Sequence, residues 1–254
     1  MYYRAFGRKE GLGDALRLFP QAAPIMRAMM SDAEKSIARI VPQCVPLFDV
    51  PAGDVRYVLM VGLFQSDAWA TYLHGQPTSF LTLEHVASPR QVEITVAHET
   101  AHTLHHLCAS PPLADWVDGG TVADGVFTEG MAVLASTRIV LGASDAAYLN
   151  NHGPDGAAWL AACAQRWGEM RPRLLADLSQ ADPERARPYF LANTAMAERA
   201  GLPVRIGYVA GYYALVALGR GYTIAEMARW PNTRVLTEVR QVLEDMEQLP
   251  IPVG

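Results

Sequence analysis

Residues 88–108 read SPRQVEITVAHETAHTLHHLC, and the rest of the chain is best read outward from this stretch. Ser88 stands at an N-cap position, Pro89 at the first helical position, and Gln91 three residues after the cap, which is the spacing of a capping box. A helix is predicted from Pro89 until Pro111 and Pro112 stop it. Its apolar stripe, Ile94, Ala97, Ala101, Leu104 and Cys108, keeps the helical period over about four turns. Beside that stripe stand His98, Glu99 and His102, in the pattern HExxH. Residues four apart on a helix lie about 40° apart around the axis and one turn along it, so both imidazoles can reach one ion from one face. Zinc accepts neutral imidazole nitrogen at about 2.0 to 2.1 Å, and a catalytic site keeps one of its four positions for water. Glu99, next to the first ligand, is placed to deprotonate that water. His105 and His106, one turn further on, have three open readings: support of the ligands, alternative ligation, or polar packing at the helix end.

Zinc needs a third protein ligand. After a polar, glycine-containing loop, ADWVDGGTVADG at 114–125, a second helix is predicted from about Asp124 to Leu141, closing at Gly142. It carries FTEGMAVLA, in which Glu129 lies 27 residues beyond His102, and no other acid follows until Asp145. Glu129 is the expected third ligand. Its alternative reading is an interaction with its own helix N-terminus. Gly130 and Ala132 are small enough to let this helix approach the metal helix, while Phe127, Met131 and Leu134 offer packing faces.

Towards the N-terminus, the first ~50 residues read as helical, with Ile25, Met29, Ile37 and Ile40 as the apolar positions and an end at Pro42 and Pro46. VRYVLMVGLF, from Val55 to Phe64, suits a buried strand, and TSFLTL, from Thr78 to Leu83, a second one. The second strand is expected at a sheet edge, either aligning an extended peptide by main-chain hydrogen bonds or only closing the sheet. Towards the C-terminus, helices are predicted over Ala157–Leu178, Glu184–Ala192, Ile206–Leu218 and Thr233–Met246. With strands confined to the first half and no linker or repeat, the expectation is one α+β domain over residues 1–254. It comprises a helical segment (1–50), the sheet and metal-site helices (55–142) and a helical C-terminal half (155–248).

The chain has 254 residues, half of them hydrophobic, which excludes disorder of the whole length. Its net charge of -5 gives no electrostatic reason to expect a nucleic-acid or anionic-membrane partner. Cys44, Cys108 and Cys163 form no CxxC pair, which argues against a thiolate cluster or a disulfide framework and suits a reducing compartment. The opening MYYRAFGRKEGLGD lacks the apolar run of a signal peptide, and a cytoplasmic protein is expected.

HExxH followed on the next helix by Glu-Gly-x-Ala, at Glu129 to Ala132, resembles the gluzincin class of zinc metallopeptidases. RIGYVAGYYALVALG, at Arg205 to Gly219, resembles the glycine-tyrosine segment of the DUF2268 family of predicted zinc-dependent proteases. The likeness covers roughly Val55 to Met246. It implies a zincin-like fold, one zinc ion on His98, His102 and Glu129, Glu99 as base, and a peptide or protein substrate. Tyr208 and Tyr212, at i and i+4, then become candidates for stabilising the oxyanion, against a reading in which they and Gly207 and Gly211 pack helix on helix. The metzincin pattern would place glycine at 105 and histidine at 108, where this chain has His105 and Cys108. Val133 occupies the position one turn after Glu129 where the resemblance implies an acid that orients a ligand histidine, and Asp118 or Asp124 is the candidate to substitute for it from the loop. The expected activity is zinc-dependent peptide-bond hydrolysis. The competing expectation is a non-catalytic peptide-binding or regulatory module with structural zinc.

Overall fold

The computed structural model describes residues 11–51, 55–64, 66–84, 88–109, 119–149, 155–192 and 194–251. The fold is mixed α and β, with one small sheet and strands only in the first half among the described residues. The chain divides into two units, residues 1–107 and 108–254.

The first unit opens with helix α1 (Gly11–Phe48), which passes through Pro20, Pro24, Pro42 and Pro46 instead of stopping at the last two. Each proline removes one bond to the carbonyl four residues back. Those carbonyls belong to Leu16, Pro20, Ala38 and Pro42, all exposed residues, so water can take the place of the missing donor. The opposite face holds the helix: Ala33, Ser36, Ile40, Cys44 and Phe48 are buried at steps of three and four. Ile25, one of the expected apolar positions, is 54% exposed instead.

Strands β1 (Arg56–Met60), β2 (Ala68–Leu73) and β3 (Gln76–Thr82) form a sheet of order β1-β3-β2, with β1 parallel and β2 antiparallel to β3. The stretch expected at a sheet edge is therefore the central strand, and it is buried along its length from Pro77 onward. The strand that went unpredicted, β2, is an edge. Its signal was present in the alternating Trp69, Thr71 and Leu73 and in the turn His74-Gly75, whose positive φ values of 51° and 77° suit a two-residue hairpin. Helix α2 (Pro89–Cys108) completes the unit, and the Gln91 amide donates to Ser88 Oγ at 3.2 Å, as an N-cap requires.

The second unit is helical. Helix α3 (Val122–Ile139) starts two residues before the predicted point because Thr121 caps it: Thr121 Oγ1 accepts from the Asp124 amide, and Asp124 Oδ2 accepts from the Thr121 amide. Thr121→Ala should therefore cost about 1 kcal/mol, read as a lower denaturation midpoint. Helices α4 (Asp145–Tyr148), α5 (Gly156–Gln165), α6 (Trp167–Asp177), α7 (Pro183–Phe190), α8 (Thr194–Ala200), α9 (Ile206–Leu218), α10 (Ile224–Met227) and α11 (Asn232–Asp245) follow. The stretch expected as one helix over Ala157–Leu178 breaks at Arg166, and the indole of Trp167 donates to the Met246 carbonyl at 2.7 Å.

Helix α3 is buried on every side over its first fifteen residues. It crosses α9 with no side chain in between: a Cβ on Gly130 would lie 2.3 Å from the Gly211 carbonyl oxygen, and one on Gly211 would lie 2.2 Å from that of Val126. Gly130 thus serves the contact with α9. The helix-packing reading of Gly211 holds for the same reason. Phe127 stacks on Trp230 at 5.8 Å between ring centroids. Among the described residues no helix is long and apolar enough to cross a membrane.

Candidate metal centre

One side of α2 is bound to the sheet by polar contacts. Tyr57, on β1, donates its hydroxyl to the Val96 carbonyl at 2.8 Å and lies 2.6 Å from Thr100 Oγ1. Ser79, directly beside Tyr57 in the register on β3, donates to the Glu99 carbonyl at 2.9 Å and meets Thr103 Oγ1 at 2.6 Å. Hydroxyls on two neighbouring strands thus set the rotation and height of the helix, because a buried hydroxyl without its partner costs more than the bond returns. Burial raises the Tyr57 pKa, so its hydroxyl stays a donor. Sequence reading treated Tyr57 and Ser79 as strand residues only. Their signal was the presence of two polar side chains on the inward face of otherwise apolar strands.

Positions 96, 100 and 103 lie on the side of α2 opposite to 98 and 102. With the first set bound to the sheet, the two histidines point away from it, and both are half-buried. Their Nε2 atoms are 3.1 Å apart. Two ligand atoms of a tetrahedral zinc ion are separated by about 3.3 Å, the edge set by bonds of about 2.05 Å. Nε2 of both rings therefore already converges on one point. Glu99 is 6% exposed, and its side chain lies on the same turn as His98.

Glu129 is buried in α3, two turns beyond the Thr121 cap. The field of a helix terminus fades within its first turn, and that turn already holds Asp124, so the N-terminal reading of Glu129 is removed. One donor atom each from His98, His102 and Glu129 lies within 4.8 Å of the other two. This group can hold a metal ion. Two imidazole nitrogens and a carboxylate oxygen also form the donor set that zinc takes in many catalytic sites, so the residues present fit the ion.

The remaining candidates are placed as follows. Asp124 is engaged in the cap of α3, and Asp118 lies outside the described residues. The Tyr208 ring meets Phe190 edge-on at 6.4 Å and Arg205 at 5.7 Å. The Tyr212 hydroxyl faces Asp145 at 3.5 Å, and Tyr213 donates to the same carboxylate at 3.0 Å. Burial, reinforced by Asp145, pushes the Tyr212 hydroxyl up to about 12.

His105 is 2% exposed, and burial, helped by His106 and His102, holds its pKa down to about 3. It is therefore neutral at pH 7. An unfolded histidine titrates near 6.5, so between about 6.5 and 3 the unfolded chain binds a proton that the folded chain refuses. Stability should fall as pH drops through that window, by about 1.4 kcal/mol per pH unit for this group. Denaturant midpoints between pH 7 and 5 check this, and His105→Gln should flatten the slope.

No family model, curated protein or solved structure matches the chain.

Proposed function

We propose that this protein is a zinc-dependent metallopeptidase of gluzincin type on a zincin-like fold, akin to the DUF2268 family, and that it hydrolyses peptide bonds. The observation that carries the reading is the grouping of one ligand atom each from His98, His102 and Glu129, with the two histidine Nε2 atoms 3.1 Å apart and Glu99 on the same helical turn as the first ligand. A zinc ion bound there would polarise a carbonyl and lower the pKa of water. The chain's own residues do the rest. His98 and His102 bind through Nε2 on a helix whose orientation is set by Tyr57 and Ser79. Glu99 takes the proton from the attacking water and passes it to the leaving amine. Tyr208 and Tyr212 remain the candidates for a hydrogen bond to the oxyanion. Tyr208 is preferred because it lies nearer the N-terminal end of α9 (Ile206–Leu218), where a side chain reaches a cleft more easily than from the packed middle. An extended substrate would pair by main-chain hydrogen bonds with an edge strand of the sheet, which is β1 or β2 and not the central β3.

The test is elemental analysis of protein purified without added metal, followed by digestion of a peptide library with and without chelator. About one equivalent of zinc and chelator-sensitive cleavage are expected. Zinc well below one equivalent and not regained on titration would sink the metal assignment. Bound zinc with peptides retained but never cleaved would replace the enzyme with a peptide-binding module, and cleavage confined to small amides would overturn the substrate class.

A further inference from the structure

The metal centre makes no use of the first half of α1. There, Leu12, Leu16, Phe19, Ala23, Met26 and Met30 recur at alternating steps of four and three residues. The same spacing continues without a break through Ala33, Ile37, Ile40 and Cys44, where the seam packs into the first unit. The upper half is covered at Met26, which is 5% exposed, but Leu12, Leu16, Phe19 and Met30 are 42%, 64%, 44% and 47% exposed. An unbroken 3.5-residue repeat is the pattern of a helix that packs along another helix, and bare apolar seams of this size mark association sites.

We propose that this seam is a homodimer interface, in which α1 of one copy packs antiparallel on α1 of a second copy about a two-fold axis between Phe19 and Ala23. Three observations favour a second copy as the occupant. The first is size. In this register Phe19 faces the partner's Ala23 and Leu12 faces the partner's Met30, so the largest side chain meets the smallest and an isologous patch matches itself, while Leu16 lies over the partner's Met26, which its own copy already buries. The second is shape. Phe19, Ala23, Met26 and Met30, with Val61 just past β1 and Leu83 just past β3, line a groove of about 190 Å³ beside Ala23 that is apolar except for Arg27. A closed apolar cavity of about 150 Å³ accepts benzene, so the groove has room for the phenyl ring that the partner's Phe19 would bring to it. The third is charge. Asp14 lies near one end of the seam and Arg27 near the other, so antiparallel pairing sets each beside its opposite on the partner. Arg27 has no ion-pair partner among the described residues, and the Asp14–Arg17 pair is exposed and correspondingly weak.

Sedimentation of the full chain over a concentration series tests the proposal. A monomer–dimer equilibrium is expected, with Phe19→Asp raising the dissociation constant at least about 30-fold while helix content and Tm are kept. Leu16→Lys, at the most exposed seam position, should act in the same way and serves if Phe19→Asp fails to fold. Asp14→Arg and Arg27→Asp should each weaken the dimer, and the double variant should restore it. A monomer at every concentration, or a dimer indifferent to Phe19→Asp and Leu16→Lys, would overturn the interface. Failure of the charge swap to restore association would overturn the antiparallel register.

Discussion

Glu99→Gln should keep its zinc and lose about a thousandfold in turnover, the effect of removing a positioned general base. The amide is nearly isosteric and Glu99 is not in the ligand group, so metal content should match that of the parent. His98→Ala and His102→Ala should lose metal and activity together, because each removes one of two nitrogens that sit 3.1 Å apart. Glu129→Ala should weaken zinc binding in the same direction. The comparison of metal content with turnover is the informative one: Glu99→Gln without zinc would turn that residue into a ligand, and full turnover in it would end the base assignment. Tyr208→Phe separates the two roles of that ring. A loss of about 100-fold in turnover with metal and Tm unchanged marks an oxyanion donor, whereas no kinetic change leaves it to packing against Phe190.

The second large effect is on stability. Gly211→Ala and Gly130→Ala each place a Cβ within 2.3 Å of a backbone carbonyl oxygen on the facing helix. Backbone cannot rotate aside as a side-chain end can, so α3 and α9 must separate along their contact and lose packing on both sides. A cost of about 3 kcal/mol is expected, or roughly 6 to 12 °C in Tm for a chain of this length. Gly168→Ala is the control, since a Cβ there meets nothing within 4 Å, and it should gain up to about 1 kcal/mol from helix propensity. Equal behaviour of the three variants would show that the helices are not in close contact at Gly130 and Gly211.

What the sequence determined by itself is what local geometry controls. Four-residue spacing on a helix puts His98 and His102 on one face whatever the helix packs against, and Ser88 marks the start of that helix within its own first turn. Ile206–Leu218 and Asn232–Asp245 were read to within a residue, the first because it is a continuous apolar run that closes at Gly219, the second because it is strongly amphipathic and follows Pro231. Glu129 was singled out by chemistry, as the only acid between Asp124 and Asp145. Its distance from the histidines is long-range information that only the tertiary structure holds. The same is true of the prolines of α1, whose cost depends on which face is wet, and of β3, whose place between β1 and β2 depends on pairing partners remote in sequence. The glycines show the limit most plainly. A small residue advertises close approach but does not say to what, and Gly130 meets α9 because the two backbones pack there, a property of two helices eighty residues apart and of neither one alone.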